Sequence, residues 1–346
     1  MLWEIKNKIE YELKAYLAKL DNLYCLSALS PVIFNSIREF VLRDGKRIRP
    51  CLFILGYRGF SEGNPAGLYT TAVSLEFLHD FMLVHDDIID KAAMRRGKPS
   101  MHTMLNKYLR RHKNIKFDGN DLAIIIGDIM YAFSIHSFLS IKEDPRRKET
   151  ALKKLIDAAI YTGGGEFVEL LAGMTDMSKV TKNAIYKIYD FKTANYTFAS
   201  PLAIGAILAG AKKSQVNRLF ECGIYLGRAF QIKDDIIGLF GRESHIGKPN
   251  LTDIREAKKT LLVWYAYNNS NMKNKSRIQI ILSKINAGRN ELTAMRKILK
   301  DTGALDYAKE EVDSCLNKAM SVLLSIKMRS KYKTLLVRYS QELLTL

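Results

Sequence analysis

Apolar residues recur with helical period along nearly the whole chain. TTAVSLEFLHDFMLV, LAIIIGDIMYAFSIHSFL, KETALKKLIDAAIYT, VNRLFECGIYLGRAFQIKDDI and KSRIQIILSKI each place them at i, i+3, i+4 and i+7. Strand signals are almost absent. The seven prolines fall at breaks between these segments, and the connecting stretches, such as SEGNPAG, RRGKPS and IKEDP, are short. No Ser/Gly linker separates two halves. Length alone favours about two domains, but the patterning predicts one all-α domain over residues 1–346, a large helix bundle. GGG at 163–165 follows no strand and lacks the Lys-Ser/Thr of a phosphate loop, so it predicts a helix break or a close helix approach.

Two helical segments end in the same letters. HDDIID occupies 85–90 and KDDIIG occupies 233–238, each at the downstream end of an apolar run. Aspartates beside buried surface are costly unless something positive meets them. On a helix Asp86 and Asp90 share a face, and Asp87 stays at the same level. Such carboxylates repel unless a cation bridges them, and their hard oxygens suit Mg²⁺ shared with a substrate phosphate. Asp234 and Asp235 offer the same chemistry from a second helix. If the two helices face each other, the pentads form opposite walls of one metal site. A lone DDxxD is commonly a solvated helix end. Here basic residues follow both pentads, RRGK after the first and GKPNLTDIREAKK after the second, and acids plus bases around Mg²⁺ describe a diphosphate site.

The formal charge is +18, from 54 basic and 36 acidic residues. A balance of this kind suggests a polyanionic partner: nucleic acid, a membrane surface or phosphorylated small molecules. NKYLRRHKNIK motivates the nucleic-acid reading, but no recognition helix or aromatic-interleaved pattern accompanies it, so no nucleic-acid partner is expected. The four cysteines are widely spaced and read as thiols of a reducing compartment. The N-terminal segment is an amphipathic helix rather than a signal peptide. FASPLAIGAILAGA is too short to span a membrane, and LAIIIGDIMYAFSIHSFL carries Asp128 and His136. The expectation is a cytoplasmic protein whose only membrane contact would be peripheral.

Five segments, in order, resemble the trans-isoprenyl diphosphate synthases, or polyprenyl synthetases: DGKRIRP, LEFLHDFMLVHDDIID with RRGKP, DFKTANYTFASP, FQIKDDIIGLFG, and GKPNLTDIREAKKTLL. The resemblance runs from about residue 40 to about residue 262 and implies the type I isoprenoid synthase fold. It further implies Mg²⁺-dependent ionisation of an allylic diphosphate, attack by isopentenyl diphosphate and loss of a proton. By the same resemblance Asp86 and Asp90 bind two Mg²⁺ with Asp87 in support, and Asp234, with Asp235 near it, holds a third. Arg95, Lys192, Lys248 and Lys258 contact the allylic diphosphate. Lys46, Arg49, His79 and Arg96 hold isopentenyl diphosphate, and Thr193 and Gln231 face the reacting carbons. Alone, His79 would read as a core histidine and Lys46 and Arg49 as surface charge.

Two departures stand out. The second pentad ends in Gly238 rather than Asp, as do archaeal-type geranylgeranyl diphosphate synthases. Glu166 and Glu169 replace the Gln and Asp of many relatives, and both changes keep polarity. Product length rests on Phe81, the family's length-setting position, with Met82 and Leu78 on the Asp86 stripe. One aromatic and no insertion in the first motif resemble producers of the twenty-carbon geranylgeranyl product; farnesyl or longer C25+ products are the alternatives. A type I terpene cyclase would want N-D-x-x-S-x-x-x-E, which is missing. A non-catalytic partner subunit is disfavoured by the intact first motif. The family resemblance also implies a homodimer.

Overall fold

The computed structural model describes residues 2–241 and 251–345. Among these, every element longer than two residues is helical, as the periodicity predicts. In chain order they are α1 (Leu2–Tyr24), α2 (Leu26–Leu29), α3 (Pro31–Val41), α4 (Ile48–Arg58), α5 (Leu68–Ile89), α6 (Met101–Leu109), α7 (Gly119–Phe138), α8 (Pro145–Gly173), α9 (Lys182–Tyr189), α10 (Ser200–Leu208) and α11 (Lys213–Phe240). Shorter helices follow to Leu344. Pro31 and Pro145 open helices, where the missing N–H is no loss, whereas Pro201, expected at a break, lies inside the continuous helical run from Lys182 to Leu208. A two-residue hairpin, Met94–Arg95 paired with Lys98–Pro99, is the one strand pair described.

The chain divides into two compact units. The first comprises residues 1–153 and 204–211, the second 154–203 and 212–346. In the first unit α5 and α7 run antiparallel. The Phe77 and Phe133 rings lie 5.7 Å apart, and the Thr71 hydroxyl donates to the Phe138 carbonyl at 3.2 Å. At the other end the His85 ring sits over Gly127, where a Cβ would stand 2.4 Å from Nε2. α7 is long and apolar enough to cross a membrane. Its Ala123, Ile126, Met130 and Phe133 nonetheless belong to the buried core of this unit, together with Leu13, Leu17, Ile37, Phe40 and Phe77.

In the second unit the helix opens out. Asp190–Ala199 takes the wider π form, and the Ser200 amide reaches back five residues to the Asn195 carbonyl. A π segment bulges, so its neighbours must give way. They do so with glycine. A Cβ at Gly227 on α11 would stand 2.3 Å from the Ala194 Cα, and one at Gly223 would stand 2.4 Å from the Ala199 Cα. On α8, a Cβ at Gly165 would stand 2.6 Å from the Lys192 amide nitrogen. The GGG stretch is therefore a close approach at Gly165. It is not a break, because α8 runs unbroken through 163–165 and the space beside Gly163 and Gly164 is open.

Gly227→Val forces either α11 or the π segment to move. We expect a loss of about 1–3 kcal/mol, the usual cost of overpacking a filled site, read from the urea midpoint. The same change at Gly164 should be near neutral.

Candidate active site

The first motif ends α5. The helix closes with Asp90 as its cap and Lys91 in the left-handed region (φ 53°). The Lys91 amide bonds the Ile88 carbonyl, and the Ala92 amide reaches the Asp87 carbonyl at 2.8 Å. That reversal is a Schellman turn. It leaves Asp86 and Asp90 half-buried one turn apart, while Asp87, offset by one residue, is fully buried. The chain then turns back through the hairpin, in which Arg96 (φ 54°) and Gly97 (φ 71°) form the two-residue turn that left-handed residues favour. Arg95 Nε donates to Asp87 Oδ1 at 2.7 Å and Nη2 to Asp86 Oδ2 at 2.9 Å. Burial pushes the Asp87 carboxyl up to about 6 against the pull of Arg95. From α3's end, the buried Arg43 guanidinium holds the hairpin by donating to the Arg95 and Pro99 carbonyls at 3.3 and 2.8 Å.

Below this turn lies a second charged cluster in the same unit. Buried Arg47 (φ 49°) pairs with Glu76 at 2.5 Å and Glu10 at 2.7 Å. Arg96 Nη2 lies 3.6 Å from Glu76 Oε1 and 4.0 Å from Asp80 Oδ1. Arg49 is also buried, and Lys46 is exposed. His79 is held neutral, its pKa well below the usual value, first by burial and then by Arg49 and Arg96. Glu76 and Asp80 divide the charge unequally. The guanidinium groups of Arg47 and Arg96 outweigh burial and lower Glu76, whereas burial and the charge of Glu76 raise Asp80 to about 8. Neither Asp80 oxygen has a hydrogen-bond partner.

In the second unit, Lys192 and Thr193 sit on the π segment. Lys192 Nζ contacts Glu169 Oε2 at 2.5 Å and Glu166 Oε2 at 2.6 Å, both from α8. The two glutamates, given little weight as polar replacements, are thus the clamp on this lysine. The Thr193 hydroxyl donates to Gln231 Oε1 at 2.6 Å, and Gln231 Nε2 donates to Asp235 Oδ1 at 2.8 Å. The Tyr189 hydroxyl donates to Asp235 Oδ2 and accepts from the Leu261 amide at 3.0 Å. Asp235 is buried, and that burial, followed by the charge of Asp253, raises its pKa to about 8. Asp234, its neighbour on α11, is exposed. Arg228 grips Asp190, the first π residue, through two 2.6 Å bonds. Lys258 pairs with Glu256 at 2.8 Å and lies 3.5 Å from Asp253. Lys248 lies outside the described residues.

A sequence profile of the polyprenyl synthetase family matches residues 30–299. The chain belongs to the polyprenyl synthetase family. A geranylfarnesyl diphosphate synthase of Aeropyrum pernix is 33% identical over 291 residues, covering 82% of this chain and 85% of that one. A geranylgeranyl diphosphate synthase of Sulfolobus acidocaldarius is 29% identical over 343 residues, covering 98% and 95%. Among solved structures, the fold matches geranylgeranyl pyrophosphate synthase from Corynebacterium glutamicum, complexed with isoprenyl diphosphate and magnesium. The TM-score is 0.90 at 24% identity over 100% of this chain and 99% of that one. This polyprenyl synthetase is an all-α trans-prenyltransferase, and its carboxylate-rich motifs present the oxygen donors that Mg²⁺ prefers.

Sequence reasoning found the motif residues and missed their supports: Arg43, Arg47 with Glu76, Tyr189, and the Glu166/Glu169 clamp. For Tyr189 the available signal was its place just before the lysine-threonine motif. Arg47 lay inside DGKRIRP itself.

Asp80 makes a pH prediction. Its folded pKa lies above the ordinary 3.8, so the folded state holds the extra proton from 3.8 to about 8. That stability is lost as pH rises through the window. In the metal-free protein Asp80→Asn should therefore gain Tm over wild type progressively from pH 5 to pH 8. A constant gap would mean that Asp80 is charged throughout.

Proposed function

We propose that this polyprenyl synthetase condenses isopentenyl diphosphate with allylic diphosphates, with dimethylallyl, geranyl and farnesyl diphosphates as primers and geranylgeranyl diphosphate as the main product. The observation that carries this reading is the turn that ends α5. It offers Asp86 and Asp90 on one face while Arg95 and the Arg47–Glu76–Arg96 cluster surround it. Asp86 and Asp90 would hold two Mg²⁺, and Asp234 a third. Asp87 and Asp235 support these from buried positions. Bound Mg²⁺ would neutralise the charge that develops on the diphosphate leaving oxygens.

The chain's own residues do the rest. Arg95, Lys192, Lys258 and Lys248 bind the allylic diphosphate. Lys46, Arg49, Arg96 and neutral His79, a hydrogen-bond donor, bind isopentenyl diphosphate. The hydroxyl of Thr193 and the carbonyl of Gln231 present fixed dipoles to the allylic cation, where water would quench it. After the new carbon–carbon bond forms, the proton leaves to the departing diphosphate. No nucleophilic side chain is required.

Product length follows from α5. The tail grows away from Asp86 toward the helix N-terminus, and a residue five positions back lies ~7.5 Å deeper. Phe81 stands there. Its ring lies 4.7 Å from His85 and 5.1 Å from Tyr131 of α7, which supports an aromatic stop at this depth. Leu78 is buried beneath it and Met82 is half-buried. A longer product, such as the name of the Aeropyrum relative states, remains the competing outcome. Exposed apolar side chains support a homodimer: Ile124 and Ile125 in the first unit, and Ile160, Phe167, Leu170 and Leu171 in the second. The match across residues 30–299 supports one synthase domain. A cytoplasmic setting suits these water-soluble diphosphate substrates.

Incubating the protein with isopentenyl diphosphate, each primer in turn and Mg²⁺ tests the reading; the expected product is C20, and release of the hydrocarbon without elongation would point to a cyclase. Asp86→Ala or Asp90→Ala should remove about 3–4 kcal/mol of transition-state stabilisation, the scale of one preorganised charge stabiliser, with helicity unchanged. EDTA should stop turnover and Mg²⁺ restore it. Arg95→Ala should impair allylic use, whereas Lys46→Ala should raise KM for isopentenyl diphosphate. Phe81→Ala should lengthen the product and Met82→Phe shorten it; an unchanged profile in Phe81→Ala would remove the length argument while leaving the family assignment intact.

A further inference from the structure

The second pentad is one carboxylate short of the first, because Gly238 stands where the first has Asp90. It is shorter still in practice. Both oxygens of Asp235 already accept hydrogen bonds, Oδ2 from the Tyr189 hydroxyl and Oδ1 from Gln231 Nε2. The other carboxylate of this pentad on α11 is Asp234, which is exposed. Yet the space beside Gly238 is filled. A Cβ built on Gly238 would stand 2.6 Å from Oδ2 of Asp253, which lies on the short helix Thr252–Arg255. Carbon and oxygen do not approach so closely without one of them moving. The Asp253 carboxylate therefore holds its present position only beside a glycine at 238.

Among the described residues the Asp253 side chain has one cation beside it. Its Oδ1 lies 3.5 Å from Lys258 Nζ, but Lys258 has a nearer carboxylate in Glu256 at 2.8 Å. Oδ2 is the atom pressed against Gly238. The side chain is 11% exposed, so it sits at the edge of solvent, where a hydrated ion can reach it.

We propose that Asp253 supplies the carboxylate that position 238 lacks, so that the Mg²⁺ assigned to the second motif is held by Asp234 from α11 and Asp253 from the lysine loop. This rests on the reading that the second motif binds Mg²⁺. On this view DDIIG is a complete motif split over two segments. Part of the metal site then rides on the same loop as Lys258, and metal and diphosphate binding there are coupled.

The test uses the full chain, Mn²⁺ as the probe and inorganic diphosphate as the companion ligand, with bound Mn²⁺ counted by electron paramagnetic resonance. Asp234→Ala is the reference variant. Asp253→Asn should weaken the Mn²⁺ that Asp234→Ala weakens, by about 10–100-fold, the range for losing a group that supports a metal. Gly238→Ala should do the same without removing any carboxylate, because its Cβ displaces Asp253; this second variant covers the case in which Asp253→Asn folds poorly. Gly238→Asp combined with Asp253→Gly should recover much of the loss. If Asp234→Ala weakens Mn²⁺ while Asp253→Asn and Gly238→Ala both bind as wild type does, Asp253 is not a ligand and the proposal falls alone. If Asp234→Ala also binds normally, the metal reading of the second motif fails and takes the proposal with it.

Discussion

A charge removed from water has to be matched, and the placement of the buried charged residues in this synthetase follows from how that is done. An unmatched buried ion costs several kcal/mol, and in practice a group changes its protonation instead. Both solutions are present. Glu76 stays ionised because Arg47 lies 2.5 Å away. Four residues on, Asp80 has no hydrogen-bond partner, and the charge of Glu76 with burial pushes it toward its neutral form. The cluster keeps its positive excess as a result.

The second unit solves a different problem, the presentation of Lys192 and Thr193. A regular α-helix through Asp190–Ala199 would rotate these side chains progressively away from their places. The π form adds a residue to the turn, and such bulges concentrate at functional positions. Three glycines make room for it, and Arg228 and Tyr189 fix its start. The glycines and these two side chains act on the backbone that carries Lys192 and Thr193. Together they determine where those two residues stand.

Helix after helix was legible in the sequence because burial imposes a period of 3.6 on side chains, as in α5, α7 and α11. The family was legible because its motifs need fixed residue types at fixed spacing. The π segment was not, since its apolar positions fit an α-helix equally well over so short a span. Nor were the long-range pairs. Arg47 meets Glu76 across 29 residues and Lys192 meets Glu169 across 23, separations that no local pattern encodes. Glu166 and Glu169 looked like polar replacements of no consequence, because their role exists only once α8 and the π segment are side by side.

The repeated letters DDII take on physical sense at the level of helical faces. Consecutive residues on a helix point about 100° apart, so when the first aspartate of such a pair faces outward the second is carried toward the core. Asp87 and Asp235 are both buried. Asp86 is half-buried and Asp234 exposed. The same two letters thus yield one outward carboxylate to meet a ligand and one inward carboxylate to tie the helix end down. The ties differ. Asp87 is held by the cation Arg95 and is raised only to about 6. Asp235 is held by the neutral donors Tyr189 and Gln231, with Asp253 adding negative charge nearby, and is raised to about 8. A charged donor stabilises a carboxylate more than neutral ones do. The buried carboxylate of the first motif therefore has a cation bonded to it, whereas that of the second has neutral donors.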